Sequence, residues 1–214
     1  MTDFHTHILP RMDDGSGSVR ESLEMLRQER LQGVDAVALT PHFYPWKESP
    51  AEFLSRRDRH YQQLESRLPE GCPQLALGAE VYFFEGMHVS EDVPNLRLQG
   101  TQYLLVEMPF DSWPQRMIGE LFRLRDRGGI QPVLAHVDRY LRFQPRGLWR
   151  ELAQQGILFQ ANVDSFTQWR IRGYITKMLE EGWISYLGSD CHNLESRRPN
   201  WDLLPQRVRE RLAP

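Results

Sequence analysis

The chain reads as an α/β protein of (β/α) barrel type, and three observations carry that reading. Seven short apolar segments alternate with longer amphipathic ones along the sequence, the pattern of parallel βαβ units. No internal repeat, low-complexity tract or linker interrupts the 214 residues, so residues 1–214 are read as a single domain. A histidine or carboxylate stands at or just past the end of six of the seven strand segments. Parallel barrel strands all present their carboxyl ends on one face, where active sites are built. An open doubly wound sheet is the structural competitor.

Asp3–His7 is the first predicted strand. His5 and His7 lie two residues apart, so both point to the same side of it. Ser18–Gln32 follows as a helix: Ser18 and Glu21 make a capping-box pattern, Leu23, Leu26 and Leu31 recur near helical spacing, and Gly33 ends it. Asp35–Thr40 is the second strand, and Phe43–Pro50, with two prolines, reads as an exposed loop. A charged helix over Ala51–Leu68 leads to the third strand, Gln74–Tyr82, then to an irregular connection, Glu85–Gln99. Tyr103–Met108, Gln131–His136, Leu158–Val163 and Ile184–Ser189 are the remaining strands. Helices Gln115–Arg127, Leu148–Gln155 and Trp169–Glu181 each close on a glycine, at Gly128, Gly156 and Gly182. Trp201–Leu212 is the final predicted helix.

Composition limits the function classes. Apolar residues make up 40% and charged residues 26%, as in ordinary globular proteins. No apolar run reaches the length of a membrane span, and with an acidic, histidine-bearing start no signal peptide is expected. Two cysteines, Cys72 and Cys191, are too few for a disulfide framework, so a reducing cytoplasm is expected. A net charge of −3 argues against a broad nucleic-acid surface. It does not exclude an anionic substrate, because bound divalent ions would dominate the local field.

The candidate ligands fall in strand order. His5 and His7 end the first strand, with Asp13 and Asp14 close behind, and His42 follows the second in TPH. Glu80 comes late in the third in GAE, Glu107 closes the fourth, and His136 closes the fifth. Asp190 and His192 follow the seventh, whereas the sixth ends in Asn162, a poor metal ligand. His60, in a charged helix, and His88, in a loop, are read as solvated. Five imidazoles and four carboxylates without paired thiolates favour Zn, Mn or Fe. Nine ligands exceed one tetrahedral ion and suit two or three ions with a bridging carboxylate.

The D-x-H-x-H opening, the following DDG, TPH, GAE, AH-x-[DE]-RY and SD-x-HN resemble the PHP (polymerase and histidinol phosphatase) superfamily. More narrowly they resemble its bacterial manganese-dependent protein-tyrosine phosphatases of capsule and exopolysaccharide regulation. The resemblance runs from Asp3 to about Pro199 with the motifs in family order. It implies a distorted seven-stranded (β/α) TIM-like barrel with three divalent metal ions, expected to be Mn²⁺, with Fe, Zn or Co as substitutes. By the same resemblance His5, His7 and Asp190 hold the first ion, and Glu80 bridges to a second completed by Glu107 and His136. Asp14, His42 and His192 hold the third. Arg139, from AH-x-[DE]-RY, and Arg197 or its neighbour Arg198 are implied at the phosphate. Cys191 and Pro41 depart from the family pattern at variable positions.

The implied reaction is phosphomonoester hydrolysis of protein phosphotyrosine, with an autophosphorylated bacterial tyrosine kinase as partner and neither nucleic acid nor membrane insertion involved. Paired ions would supply a hydroxide nucleophile at Glu80 and clamp phosphoryl oxygens, while guanidinium forks match phosphate. A PHP-type small-molecule phosphoesterase, acting on histidinol phosphate or sugar phosphates, a nuclease of the same superfamily, and a non-catalytic metal-bound module are the alternatives. The segments past the strand ends carry many rings: Phe43, Tyr44, Trp46, Phe83, Phe84, Phe110, Trp113, Tyr140, Phe143, Phe166 and Trp169. One or two of them are expected to stack on a tyrosyl ring.

Overall fold

The first strand, β1 (Thr2–Thr6), pairs in parallel with β2 (Ala36–Leu39), and β2 pairs with β4 (Gln74–Leu77). In this computed structural model, which describes residues 1–212, the remaining strands form a second parallel sheet. Its order is β3 (His42–Phe43), β5 (Glu80–Tyr82), β6 (Tyr103–Glu107), β7 (Gln131–Leu134), β8 (Leu158–Asn162) and β9 (Ile184–Gly188). Every pairing is parallel, as the alternating pattern requires.

The predicted strand Gln74–Tyr82 is broken into β4 and β5, and β3 is a further short strand just past the predicted Asp35–Thr40. Between β2 and β3 the Thr40 hydroxyl accepts the Thr6 backbone N–H at 3.1 Å, and Pro41 has no N–H to give to a ladder. The chains stay together across the gap, because Gly78 N–H donates to Leu39 O and Glu80 N–H donates to Pro41 O. At the other side, Asp190 N–H donates to His5 O and His7 N–H to Cys191 O, both at 2.9 Å. These bonds join the end of β1 to the segment after β9.

The helices are α1 (Val19–Leu31), α2 (Pro50–Glu65), α3 (Gln115–Gly128), α4 (Val137–Tyr140), α5 (Arg146–Gln154), α6 (Arg172–Glu180) and α7 (Gln206–Leu212). Among the described residues, no helix is long and apolar enough to cross a membrane. Ser18 caps α1 by accepting Glu21 N–H, while the Glu21 carboxylate reaches Gly17 N–H. The buried face of α1 is Met25 and Leu26; Leu31 is 70% exposed, so the buried stripe is rotated from the predicted one. A complete capping box, Ser49 with Glu52 and Pro50 at N1, starts α2 instead.

Successive residues of a strand face opposite sides, and the apolar packing follows that rule. Leu105, Val133 and Ala135 join Phe4 in a small cluster, whereas their neighbours Leu104, Val106 and Leu134 belong to the main core. Glu107 continues the Leu105 side of β6 to the strand's end.

Several sequence expectations are corrected. Phe43 is in a strand and buried, so Phe43–Pro50 is not a free loop from its start. Glu85–Gln99 contains two 3₁₀ turns, Met87–Val89 and Val93–Leu96, anchored by buried Met87, Val93 and Leu96. Trp169 lies before α6 and is 75% exposed. The expected final helix splits at Pro205 into a 3₁₀ turn, Trp201–Leu203, and α7. His88 and His60 are partly buried, not solvated, and the His88 ring is 2.6 Å from the Glu120 carboxylate.

Candidate metal centre

The carboxyl ends of the strands and the segments just past them bring all nine predicted ligands into one cluster. Ligand atoms of His5, His7 and Asp190 lie within 4.8 Å of one another, as do those of His42, Glu80 and Glu107, and those of His7, Asp14, His42 and His192. His136 joins through Nε2, 2.8 Å from Glu80 Oε1. Glu80 is the hub. Its Oε2 is 3.2 Å from His5 Nε2, 3.3 Å from His7 Nε2 and 2.9 Å from His42 Nδ1.

Three of the imidazoles are held with one nitrogen turned inward. The Nδ1–H of His5 donates to Gln160 Oε1 at 3.1 Å, that of His7 to Asp13 Oδ2 at 2.7 Å, and that of His192 to Asp190 O at 3.0 Å. Each bond commits the proton on Nδ1, so that in the neutral ring Nε2 carries the lone pair, the arrangement that metal-ligating histidines use. His136 and Asp190 sit at φ of 30° and 52°, a region that costs non-glycine residues energy and recurs at functional sites. Two bonds hold these strained turns: His136 N–H to Gln160 Oε1 at 2.6 Å, and Asp190 N–H to His5 O.

Glycines give the backbone room to close in. A Cβ on Gly188 would stand 2.7 Å from the His5 Cβ and 2.9 Å from Gln160 Nε2, and one on Gly15 would collide with His7 O.

Charge explains why the cluster suits cations. Burial would raise Glu80, but the imidazoles of His5 and His42 reverse this and hold it well below the usual carboxylate range. Burial and the neighbouring Glu80 carboxylate push Glu107 up to about 7. Burial opposes protonation of His7, yet Asp13 raises it to about 10. His5 is raised by Glu80 and Asp190 against the same burial. Protons thus compensate carboxylates that divalent ions also neutralise. Glu107 Oε2 and His192 Nε2 are buried without a hydrogen-bond partner, which ordinarily costs about 1–3 kcal/mol each. Imidazole and carboxylate donors without thiolate fit a first-row divalent metal.

Both predicted arginines face the cluster. Arg139 Nη2 donates to Asp190 Oδ2, and Arg197 Nη2 to Asp190 Oδ1 at 2.9 Å. Arg198 turns away to pair with Asp202. Of the two neighbours, Arg197 is the one that meets a carboxylate of the cluster.

The rings divide sharply. Phe43, Phe83, Trp113, Tyr140 and Phe166 are buried core residues. Tyr44 stacks on the His42 ring at 5.0 Å and 25°, and Trp46 stands edge-on to Tyr82 at 5.0 Å. Across the cluster, Phe110 stacks on His136 at 5.8 Å and 19°.

Sequence reasoning missed four residues that position the candidate ligands. Asp13 stood beside the chosen Asp14 in DDG, but its carboxylate binds the His7 ring and the N–H groups of Gly15 and His42. Gln160 lies mid-strand with no motif to mark it. Asn162 is no ligand, yet its Nδ2 donates to Asp190 Oδ2 at 3.0 Å. Asp3, the first letter of D-x-H-x-H, accepts the N–H groups of His5 and Ser189 and the Trp201 indole N–H.

Comparison with known proteins agrees with this geometry. Over 209 residues the chain is 33% identical to tyrosine-protein phosphatase YwqE of Bacillus subtilis strain 168, covering 92% of this chain and 79% of that protein. It is 28% identical over 211 residues to tyrosine-protein phosphatase CpsB of Streptococcus pneumoniae, covering 93% and 86%. A crystal structure from work on those two proteins, named there unique metal-dependent tyrosine phosphatases, superposes with a TM-score of 0.82 at 26% identity. That match covers 99% of this chain and 87% of the other. The family model for capsular polysaccharide synthesis, CpsB/CapC, matches residues 1–213, and the chain belongs to that family.

Proposed function

We propose that this chain is a metal-dependent phosphomonoester hydrolase that dephosphorylates protein phosphotyrosine. The observation that carries the reading is the set of three ligand groups sharing His7 and His42 at one edge of the strands. In it His5, His7, Asp14, His42, Glu80, Glu107, His136, Asp190 and His192 hold three divalent ions, of which Mn²⁺ is the expected species. The seven sequence segments form one domain as a distorted barrel around them. Ions bound there make water a stronger nucleophile at neutral pH and neutralise phosphoryl charge.

The chain's own residues orient and bind the substrate. Arg139 and Arg197, which now share Asp190, present guanidinium N–H groups to the non-bridging phosphoryl oxygens. Tyr44, Trp46 and Tyr82 on one side and Phe110 on the other accept the tyrosyl ring. A phenolate departs with less need of a protonating acid than an alkoxide. The partner in this reading is an autophosphorylated tyrosine kinase of polysaccharide synthesis; the names of the relatives support the tyrosine phosphatase activity and the family model the link to capsular polysaccharide synthesis. A cytoplasmic setting agrees with two free cysteines.

Purified protein supplied with Mn²⁺ is expected to hydrolyse p-nitrophenyl phosphate and a phosphotyrosyl peptide, and EDTA is expected to stop both. His136→Ala is expected to remove most of the activity while the far-UV circular dichroism stays unchanged. Absence of turnover with Mn²⁺, Co²⁺, Fe²⁺ and Zn²⁺ alike overturns the reading. A preference for histidinol phosphate or sugar phosphates over the peptide overturns its substrate.

A further inference from the structure

A groove of about 530 Å³ opens beside the metal cluster and shares Phe110 and Arg139 with it. Phe110 stacks on His136 and Arg139 reaches Asp190, so the two sites are continuous. The far part of the groove is lined by Arg142, Arg146 and Arg170. They come from three places after β7 and β8: the turn following α4, the start of α5 and the approach to α6.

These three arginines are exposed, and among the described residues none has a carboxylate partner within 4.0 Å. Each lies over a ring instead: Arg142 over Phe143 at 4.5 Å, Arg146 over Tyr174 at 5.2 Å and Arg170 over Trp169 at 5.0 Å. Stacking holds a guanidinium plane in place while leaving its edge N–H groups free to donate. The acidic residue in the lining, Asp138, is 6% exposed and accepts Asn162 N–H. The groove is therefore strongly cationic on a chain whose net charge is −3.

We infer that this groove is a specificity subsite for the substrate peptide, taking aspartate or glutamate side chains that flank the phosphotyrosine. The inference rests on the phosphatase reading above. Once the phosphate is at Arg139, the flanking chain has an entry past Phe110 into the groove. Rim charges of this kind steer and select partners more than they drive chemistry. The effect is expected in KM and in its dependence on salt, while kcat is expected to stay level.

The test compares three peptides with one phosphotyrosine and the same length, flanked by glutamates, by alanines or by lysines, together with p-nitrophenyl phosphate. With the Mn²⁺-loaded full chain, kcat/KM is expected to be about tenfold higher for the glutamate peptide than for the alanine peptide. That margin is expected to shrink as salt rises. The triple variant R142A/R146A/R170A is expected to lose the margin. Turnover of p-nitrophenyl phosphate, which has no flanking chain, reports separately on the metal centre. A second variant, Arg170→Glu, is expected to shift preference toward the lysine peptide and serves if the triple variant folds poorly.

Equal kcat/KM for the glutamate and alanine peptides with p-nitrophenyl phosphate still turned over overturns the subsite alone. A margin that survives in both variants does the same. A peptide carrying a second phosphotyrosine that is favoured while the glutamate peptide is not overturns the carboxylate assignment. Failure to hydrolyse p-nitrophenyl phosphate instead strikes the phosphatase reading.

Discussion

His5 Nε2 and His7 Nε2 lie 3.1 Å apart, each directed inward by a hydrogen bond at the opposite nitrogen of its ring. Two imidazole lone pairs at that spacing repel unless a proton or a cation sits between them. The pairing depends on Gln160 and Asp13, which hold the two Nδ1–H groups, as much as on the histidines themselves.

Gln160 is the sharper test, because its Oε1 serves both His5 Nδ1–H and His136 N–H. Gln160→Leu keeps a similar volume but removes that acceptor and with it both bonds. Metal affinity, followed by titration of the chelated protein with Mn²⁺, is expected to fall about 10- to 100-fold. The Gln160→Glu variant retains an acceptor and is expected to lose less. Unchanged affinity in Gln160→Leu contradicts the positioning role.

The aromatic residues after β2 are expected to separate by burial. Phe43 is 1% exposed and packs edge-on to Phe53, so Phe43→Ala is expected to cost about 3–5 kcal/mol of stability in a urea titration. Trp46 is 63% exposed, and Trp46→Ala is expected to leave stability within about 0.5 kcal/mol. Its effect is a raised KM for a phosphotyrosyl peptide. A KM that does not move removes this loop from the substrate cleft.

Glu120 ties the connection after β5 to α3. Its carboxylate accepts the N–H groups of Gly86 and His88, the His88 ring and Arg123. Burial pushes this carboxyl up, but the bonds from His88 and Arg123 outweigh it and hold it below its ordinary 4.5. A carboxyl depressed in the folded state binds fewer protons folded than unfolded, so its stabilisation is present above 4.5 and is lost as pH falls through the folded value. Glu120→Gln is expected to destabilise by about 1–2 kcal/mol at neutral pH. Urea unfolding of both proteins should converge in acid, and a gap that is constant with pH would falsify this account.

The order of candidate ligand residues along the chain was legible because it depends on chemistry that a residue carries wherever it goes. His5, His7, His42, His136 and His192 are imidazoles at strand ends, and the alternation of apolar segments places strand ends together in any parallel α/β arrangement. The starts and stops of α1, α3 and α5 were legible within a few residues for a similar reason, since serine caps and glycine ends act locally. Gly129, not Gly128, takes the left-handed turn after α3, a one-residue difference that local signals do not resolve.

What only the tertiary structure decided is which neighbours each of those residues meets. Asp13 and Asp14 are adjacent and chemically alike, yet one binds the His7 ring inside and the other lies at the rim near His192. Arg197 and Arg198 part in the same way, one to Asp190 and one to Asp202. Gln160 and Asn162 acquire their roles from strands far away in sequence. The sequence by itself determined the donor chemistry and the βα rhythm, because both are local. The selection among adjacent, equivalent side chains, and the burial that separates Phe43 from Trp46, came from long-range packing, which no local pattern encodes.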